Sequence, residues 1–354
     1  MKIVSIVGNR PQFVKAAPLC RALRAVAHEV LVHTGQHYDP EMADLFFDEL
    51  GIPEPDHHLG VGQGTPLHQL ATIALKLEPL LTEERPDLVL VYGDTTSTLA
   101  GALAAAKLAL PLGHVEAGLR SFDRSMPEEQ NRVATDHLSA HLFCPTDQAV
   151  ENLVAEGITQ GVHQVGDVMF DASRAFAPAA ARRRAWESLG LEAGSYLLMT
   201  VHRAAATDTA EALHRLVGVI EAVDRPLVFP VHPRTRHKLE EAGLWQRLEG
   251  HPHLHLSPPV GYLDFTSLLT GAQGVLTDSG GVQKEAYFQR VPCLTLRDTT
   301  EWVETVEAGY NRLVGMHPDA VAAALRDLTL PHGHVDLYGD GHAAERIAAI
   351  VTGV

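Results

Sequence analysis

Short aliphatic and β-branched runs alternate along the whole chain with segments of helical length. Lys2–Val7 (KIVSIV), Val30–His33 (VLVH), Leu88–Tyr92 (LVLVY) and Leu112–Val115 each read as a strand. LVLVY lacks polar alternation, which suits a strand covered on both faces. A helix is predicted from Pro11 onward, since proline suits a first helical turn, with Pro18 predicting a kink or a distorted turn. Further helices are predicted near Glu41–Leu50, over Pro66–Glu84, through the Ala/Leu-rich stretch ending at Leu110, and over Pro127–Ala140. Leu142–Pro145, a helix after Thr146 and Val162–Val165 complete a first half.

The second half repeats the rhythm. Strands are predicted at Tyr196–Val201, Leu227–Val231, Leu254–Leu256, Gly274–Thr277 and Cys293–Leu296, with helices near Ala210–Ala222 and Tyr262–Leu269 and another opening at Asp278-Ser279-Gly280-Gly281. Ala175–Trp186 reads as the helix between the halves. Strands alternating with helices predict parallel sheets covered on both sides. The fold class expected is therefore α/β, with two Rossmann-like domains facing each other across a cleft. The boundaries fall at 1–170 and 171–340. The last helix, Ala343–Val351, is free by pattern to pack on either domain.

The composition narrows the function. The chain has 354 residues, 28 Lys+Arg and 44 Asp+Glu, a formal charge of −16. So acidic a chain is a poor general binder of nucleic acid or an anionic membrane, and an anionic substrate would need a local cationic pocket. Cys20, Cys144 and Cys293 are far apart and form no disulfide framework, which predicts a reducing, cytoplasmic setting. No apolar run reaches membrane-spanning length, and MKIVSIVGNRP does not read as a signal peptide.

In open parallel sheets, ligands bind beyond the carboxyl ends of the strands. Arg10, His37, Asp94, Glu116, His202, His232, Ser279 and Arg297 all fall at such ends. Asp278-Ser279-Gly280-Gly281 between a strand and a helix reads either as a phosphate cradle of free N–H groups or as a plain N-cap. Glu285, one turn on, is either a ribose-diol acceptor or a solvated acid beside Lys284. Gly8-Asn9-Arg10-Pro11 is not a dinucleotide fingerprint, so no nicotinamide cofactor is expected. Arg10 and Lys15 instead suit a pyrophosphate, although Lys15 equally fits a solvated helix face.

Asp94, Glu116 and Glu128 are candidates to converge as acid/base carboxylates, with Arg120 and Arg132 moderating them. Against this, Asp94 also suits an N-cap, and Ser125-x-x-Glu128 suits a capping box. His202 reads as a phosphate ligand, a proton carrier or a surface histidine. His251-x-His253-x-His255 falls in a predicted strand, but no metal motif is present and no metal is expected.

GNRPQFVKAAPL, TGQHYDPEM, YGDTTSTLAGALAA, HVEAGLRS, PEEQNR, VHR and LTDSGGVQKEA occur in that order. Together they closely resemble the non-hydrolysing UDP-N-acetylglucosamine 2-epimerases. The resemblance implies a glycosyltransferase-B-like arrangement around a central cleft, with the helix at 341–354 returning to the first domain. It implies a cofactor-free isomerase that removes the sugar C2 proton, expels UDP to leave a glycal, and re-adds UDP with inversion at C2. By the same resemblance Asp94, Glu116, Glu128 and His202 are catalytic, and Arg10, Lys15, His232, Ser279, Gly280, Gly281 and Glu285 bind the UDP-sugar. Gln36 and His37 fall where some bacterial members bind a second, activating nucleotide sugar. A homodimer is the implied assembly. Two segments depart from the family pattern. Ala204-Ala205-Ala206-Thr207 follows His202-Arg203 where relatives often carry Glu-Asn, and Thr300-Glu301-Trp302-Val303-Glu304 replaces a Glu-Arg-Pro-Glu form. These leave open a related epimerase acting on a UDP-diacetamido-glucuronic acid. A UDP-sugar glycosyltransferase of the same architecture is the other alternative.

Overall fold

The structure, a computed structural model, describes residues 1–36, 49–62 and 64–353. The helix predicted near Glu41–Leu50 therefore falls almost wholly outside the described residues. The chain divides into two compact units. One comprises Met1–Ala175 with Asp336–Val354, the other Phe176–Val335.

The first unit is built on seven strands: β1 Lys2–Val7, β2 His28–His33, β3 His57–His58, β4 Leu88–Tyr92, β5 Leu112–Val115, β6 His141–Cys144 and β7 Val162–Gln164. Their order is β3-β2-β1-β4-β5-β6-β7, and every pairing is parallel. Val4, Ile6, Val32, Val89 and Val91 are buried against Ile73, Leu77 and Leu81 of the helix Pro66–Glu84. The helix Thr96–Lys107 lies close to this sheet because its inner face is alanine and glycine: a Cβ on Gly101 would sit 2.8 Å from Val91 Cγ1. Thr95, not Asp94, caps that helix, in a reciprocal pair with Thr98. The helix Arg10–Val26 runs through Pro18, and the last helix, Ala343–Thr352, packs on it within this unit.

The second unit carries β8 Leu197–Thr200, β9 Leu227–Pro230, β10 Leu254–Ser257, β11 Gly274–Thr277, β12 Cys293–Thr295 and β13 Asn311–Leu313. Their order is β10-β9-β8-β11-β12-β13, again all parallel. Leu197 and Met199 bury one face with Leu216 and Ile220 of the helix Ala210–Glu221. Leu198 buries the other with Leu268 and Leu269 of the helix Tyr262–Gly271. Alternate residues of one strand thus fill two apolar layers, which is why these strands read as unbroken hydrophobic runs.

Two expectations shift, and two elements were not anticipated. The connecting helix is Val168–Arg183, not Ala175–Trp186; it starts early because the Asp167 carboxylate accepts from the Met169 N–H at 2.7 Å. Of the three alternating histidines only His255 lies in a strand. β13 and the helix Pro318–Arg326 gave no clear pattern, the strand being three residues with an arginine at its centre. Among the described residues no helix is long and apolar enough to cross a membrane.

Gly118 lies at φ +82, and a Cβ there would collide with the Ala149 carbonyl, its carbon 2.8 Å away. Backbone cannot move aside as a side-chain tip can. Gly118→Ala is therefore expected to destabilise by roughly 3 kcal/mol or more, read as a lowered denaturation midpoint with an unchanged m-value.

Candidate active site

In each sheet the strand order reverses once, between β1 and β4 and between β8 and β11. Loops diverge at such a point and leave a crevice beyond the carboxyl ends of the strands. The candidate residues gather there, one set in each unit.

In the first unit Gln12 sets the geometry. It is fully buried, its side-chain oxygen accepts from the Gly8 N–H at 2.7 Å, and its amide donates to the Tyr92 carbonyl at 2.7 Å. It thereby locks the end of β1 to the end of β4. Lys15, on the same helix, is buried and pairs with Glu116 at 2.7 Å, which overturns the solvated-face alternative. Gly93, at φ +61, packs beneath that pair; a Cβ there would sit 2.9 Å from Lys15 Nζ. Glu116 itself adopts φ +72, a left-handed backbone that is rare outside glycine.

Asp94 is half-buried and ion-paired with Arg132, and its carbonyl accepts from Asn131 at 2.9 Å. Both partners lie on the helix Pro127–Leu138. Glu128 precedes them by three and four residues, so it shares their helix face. The expected Ser125–Glu128 capping box is absent: the N-cap is Met126, without a side-chain bond, and the Ser125 hydroxyl donates to Asp123. Glu128 is half-buried and has no hydrogen bond or ion pair among the described residues. Its neighbour Glu129 is the structural acid, accepting from the Ser121 N–H and hydroxyl, the Phe122 N–H and Arg132. Arg120 does not moderate the site carboxylates as expected but pairs with Asp136 and Glu156. Arg10 is half-buried at the start of its helix.

The Gln36 side-chain oxygen accepts from the Ser97 N–H at 2.9 Å and the Ser97 hydroxyl at 2.7 Å, so that oxygen has a structural task. His37 lies outside the described residues.

In the second unit Asp278 is the organising residue. It is buried and accepts from the His202 N–H at 3.0 Å, the Arg203 N–H at 2.8 Å and His202 Nδ1 at 3.2 Å. Burial opposes its charge, but His202 and the backbone donors outweigh that and hold the carboxyl below the usual range. His202 is thus an exposed histidine anchored through Nδ1. The His232 ring stands 6.5 Å away, centroid to centroid, and its Nδ1 accepts from the Arg234 N–H.

Ser279 is the N-cap of the helix Gly280–Phe288, but its hydroxyl makes no capping bond. The cap therefore leaves the hydroxyl uncommitted to the helix, and the N–H groups of a first helical turn have no intrahelical partner, an arrangement that favours an anion. Gly280 is buried against Glu301 and Trp302, and Gly281 follows it half-buried. Lys284 and Glu285 are both buried, so Glu285 is not a solvated acid; it bonds the buried Tyr262 hydroxyl. Trp302 is a core residue, its ring 4.1 Å beneath Lys284 Nζ.

The structure thus groups Asp94, Glu116, Lys15 and the Glu128 face in the first unit. In the second it groups His202, His232, Ser279 and Gly280. Arg132 pairs with Asp94 as expected, whereas Gln12 and Asp278 were not anticipated as organisers. Asp278 had a signal, an acid immediately before the Ser-Gly-Gly turn, whereas Gln12 had none.

A profile described as UDP-N-acetylglucosamine 2-epimerase matches residues 21–352. The chain is 47% identical to a UDP-N-acetylglucosamine 2-epimerase homolog of Methanococcus maripaludis, covering 99% of both chains. It is 45% identical to a UDP-2,3-diacetamido-2,3-dideoxy-D-glucuronate 2-epimerase of Pseudomonas aeruginosa, covering 98% of both. The crystal structure of the Methanocaldococcus jannaschii UDP-GlcNAc 2-epimerase, solved with UDP-GlcNAc and UDP, matches with a TM-score of 0.95 at 41% identity, over 100% of both chains.

Because the Asp278 carboxyl is held low in the folded state, its stabilisation is full above the ordinary carboxylate range and is lost as pH falls through its folded value. Asp278→Asn is expected to cost about 2 kcal/mol at pH 7. The gap to the native protein should narrow in denaturant melts as the pH is lowered below about 4. A gap that stays constant with pH would contradict this.

Proposed function

The chain belongs to the UDP-N-acetylglucosamine 2-epimerase family, and from that premise we propose that it interconverts UDP-GlcNAc and UDP-ManNAc by elimination and re-addition of UDP. The observation that carries the reading is the electrostatic inequality of three carboxylates of the first unit. Glu116 is matched by Lys15, Asp94 by Arg132, and Glu128 by no partner among the described residues.

The chemistry explains why such a set is useful. The C2 hydrogen of the sugar is not flanked by a carbonyl, so removing it requires a positioned base and a leaving group that departs with its electrons. Glu128 is the carboxylate able to take a proton without breaking an ion pair. Glu116 and Asp94, each paired, are placed to steer charge and to return a proton from the other face. When the C2–H bond breaks, its electrons form the C1–C2 double bond and the C1–O bond electrons leave with UDP. The reverse addition delivers a proton to the opposite face of C2. No hydride moves, so the reaction needs no nicotinamide.

The second unit suits the nucleotide. The Ser279 hydroxyl and the N-terminus of the helix Gly280–Phe288 favour a diphosphate. We assign Glu285 to the ribose diol and His232 to the nucleotide, as the family resemblance implies. Charge that develops on the departing UDP calls for groups already aimed at it. We assign this role in the second unit to His202, fixed by Asp278.

A second substrate has support in the 45% identity to the UDP-2,3-diacetamido-glucuronate enzyme. Offering both nucleotide sugars in heavy water decides between them. The proposal expects deuterium at C2 and the manno product from UDP-GlcNAc. Turnover of the diacetamido-glucuronate alone would replace that substrate, and binding without C2 exchange on either would overturn the reading.

Glu128→Gln and Glu116→Gln are each expected to lower C2 exchange by about 10²–10⁴-fold with UDP still bound, measured by exchange rate and calorimetric titration. Ser279→Ala should do the reverse, weakening UDP by about tenfold, the loss of one hydrogen bond to a charged group, with the C2 exchange rate at saturation little changed.

A further inference from the structure

Beneath the first-unit carboxylates lies a set of polar and charged side chains, buried at its centre, that the acid/base chemistry does not itself employ. His114 of β5 is completely enclosed. Its Nε2 is 2.6 Å from the Gly93 carbonyl, and its Nδ1 is 2.6 Å from Asp136 Oδ1. A carbonyl only accepts, so Nε2 carries a hydrogen toward Gly93, and a proton also lies between Nδ1 and the carboxylate. The other Asp136 oxygen accepts from the Gly118 N–H at 3.2 Å and from Arg120 at 2.7 Å. Arg120 is anchored in turn by both oxygens of Glu156. Burial opposes the Asp136 charge, but His114 and Arg120 outweigh it and hold the carboxyl below its ordinary range.

The placement of these contacts is specific. Asp136 grips the chain two residues before Glu116, through the His114 ring, and two residues after it, through the Gly118 N–H. Glu116 between them sits at φ +72, a conformation that persists only where its surroundings over-determine it. His114 reaches across to β4 as well, fixing the Gly93 carbonyl, and Asp94 is the next residue. One buried carboxylate therefore fixes the backbone of two of the three site acids.

We propose that Asp136 and His114 are positioning residues, a buried clamp that sets where the Glu116 and Asp94 carboxylates stand. This rests on the acid/base roles proposed above. The clamp acts through backbone and touches no substrate. Its two arms separate chemically, because a glutamine at 114 reproduces the Nε2 donor and an asparagine reproduces the Nδ1 donor.

The experiment compares His114→Gln with His114→Asn in C2-exchange kinetics and in amide hydrogen exchange of the 93–98 segment. Both variants melt lower than the native protein. His114→Gln keeps the Gly93 bond and is expected to lose at most about fivefold in kcat. His114→Asn frees the Gly93–Asp94 turn and is expected to lose on the order of 100-fold in kcat, the cost of a misplacement of about an ångström. KM should shift less than threefold in both, and the 93–98 amides should exchange faster only in the asparagine variant. Equal kcat losses in the two, or a larger loss in the glutamine variant, would make His114 a stability residue and overturn the clamp. Asp136→Asn provides a second arm, with a kcat loss of at least about tenfold at near-native KM; native kcat there also overturns it. If the native protein shows no C2 exchange, the function fails instead, and the amide-exchange contrast still decides the clamp.

Discussion

A buried carboxylate must be matched by charge or by hydrogen bonds, and the first unit is organised around meeting that demand. Glu116, Glu129 and Asp136 are all buried in a chain carrying a formal charge of −16. Lys15 matches the first, Arg132 and three donors around Ser121 match the second, and His114 with Arg120 match the third. Removing one partner of such a pair costs far more than the pair contributes, because the remaining charge stays out of water. These contacts are therefore constraints on geometry more than sources of stability. Glu128 stands outside the scheme, on a helix face whose other members are committed to Asp94.

The fold was legible because its strands are buried on both faces. LVLVY, KIVSIV and YLLMTV announce themselves as runs, and within each sheet the parallel order places the carboxyl ends of its strands on one edge. That edge explains why Asp94, Glu116, His202 and Ser279 could be picked out before any contact was known. β13 and the helix Pro318–Arg326 escaped because a three-residue strand with an arginine at its centre has no periodicity to read. The histidines at 251, 253 and 255 misled for the opposite reason: alternation suggested one face, while the strand begins only at Leu254.

The site was legible by residue type and illegible by partner. Spacing gave Lys15 and Glu285 no reason to be buried, since a cation and an acid on helices are commonly solvated. Their burial follows from side chains more than a hundred residues away or on other elements, Glu116 for one and Tyr262 for the other. Gln12 shows the limit most clearly. Its amide joins β1 to β4 across 80 residues of sequence, and nothing in the local pattern distinguishes it from any polar residue in a first helical turn. Local pattern names the elements, whereas long-range hydrogen bonds decide which of their residues are organisers.

The departure at Trp302 takes its meaning from packing. An exposed tryptophan at this point would reshape whatever binds at the second switch point. Instead the ring is buried under Lys284, a cation–aromatic contact that keeps a buried ammonium in favourable surroundings. Its indole nitrogen would lie 3.2 Å from any Cβ at Gly280, and Glu301, next in chain, would collide with that Cβ outright. Glu301 is held from the other side by Arg297 at 2.9 Å. The segment thus presses on the first residue of the helix Gly280–Phe288, where any side chain would have to push Glu301 aside. Tryptophan here acts by packing, through the position of the backbone at the start of that helix.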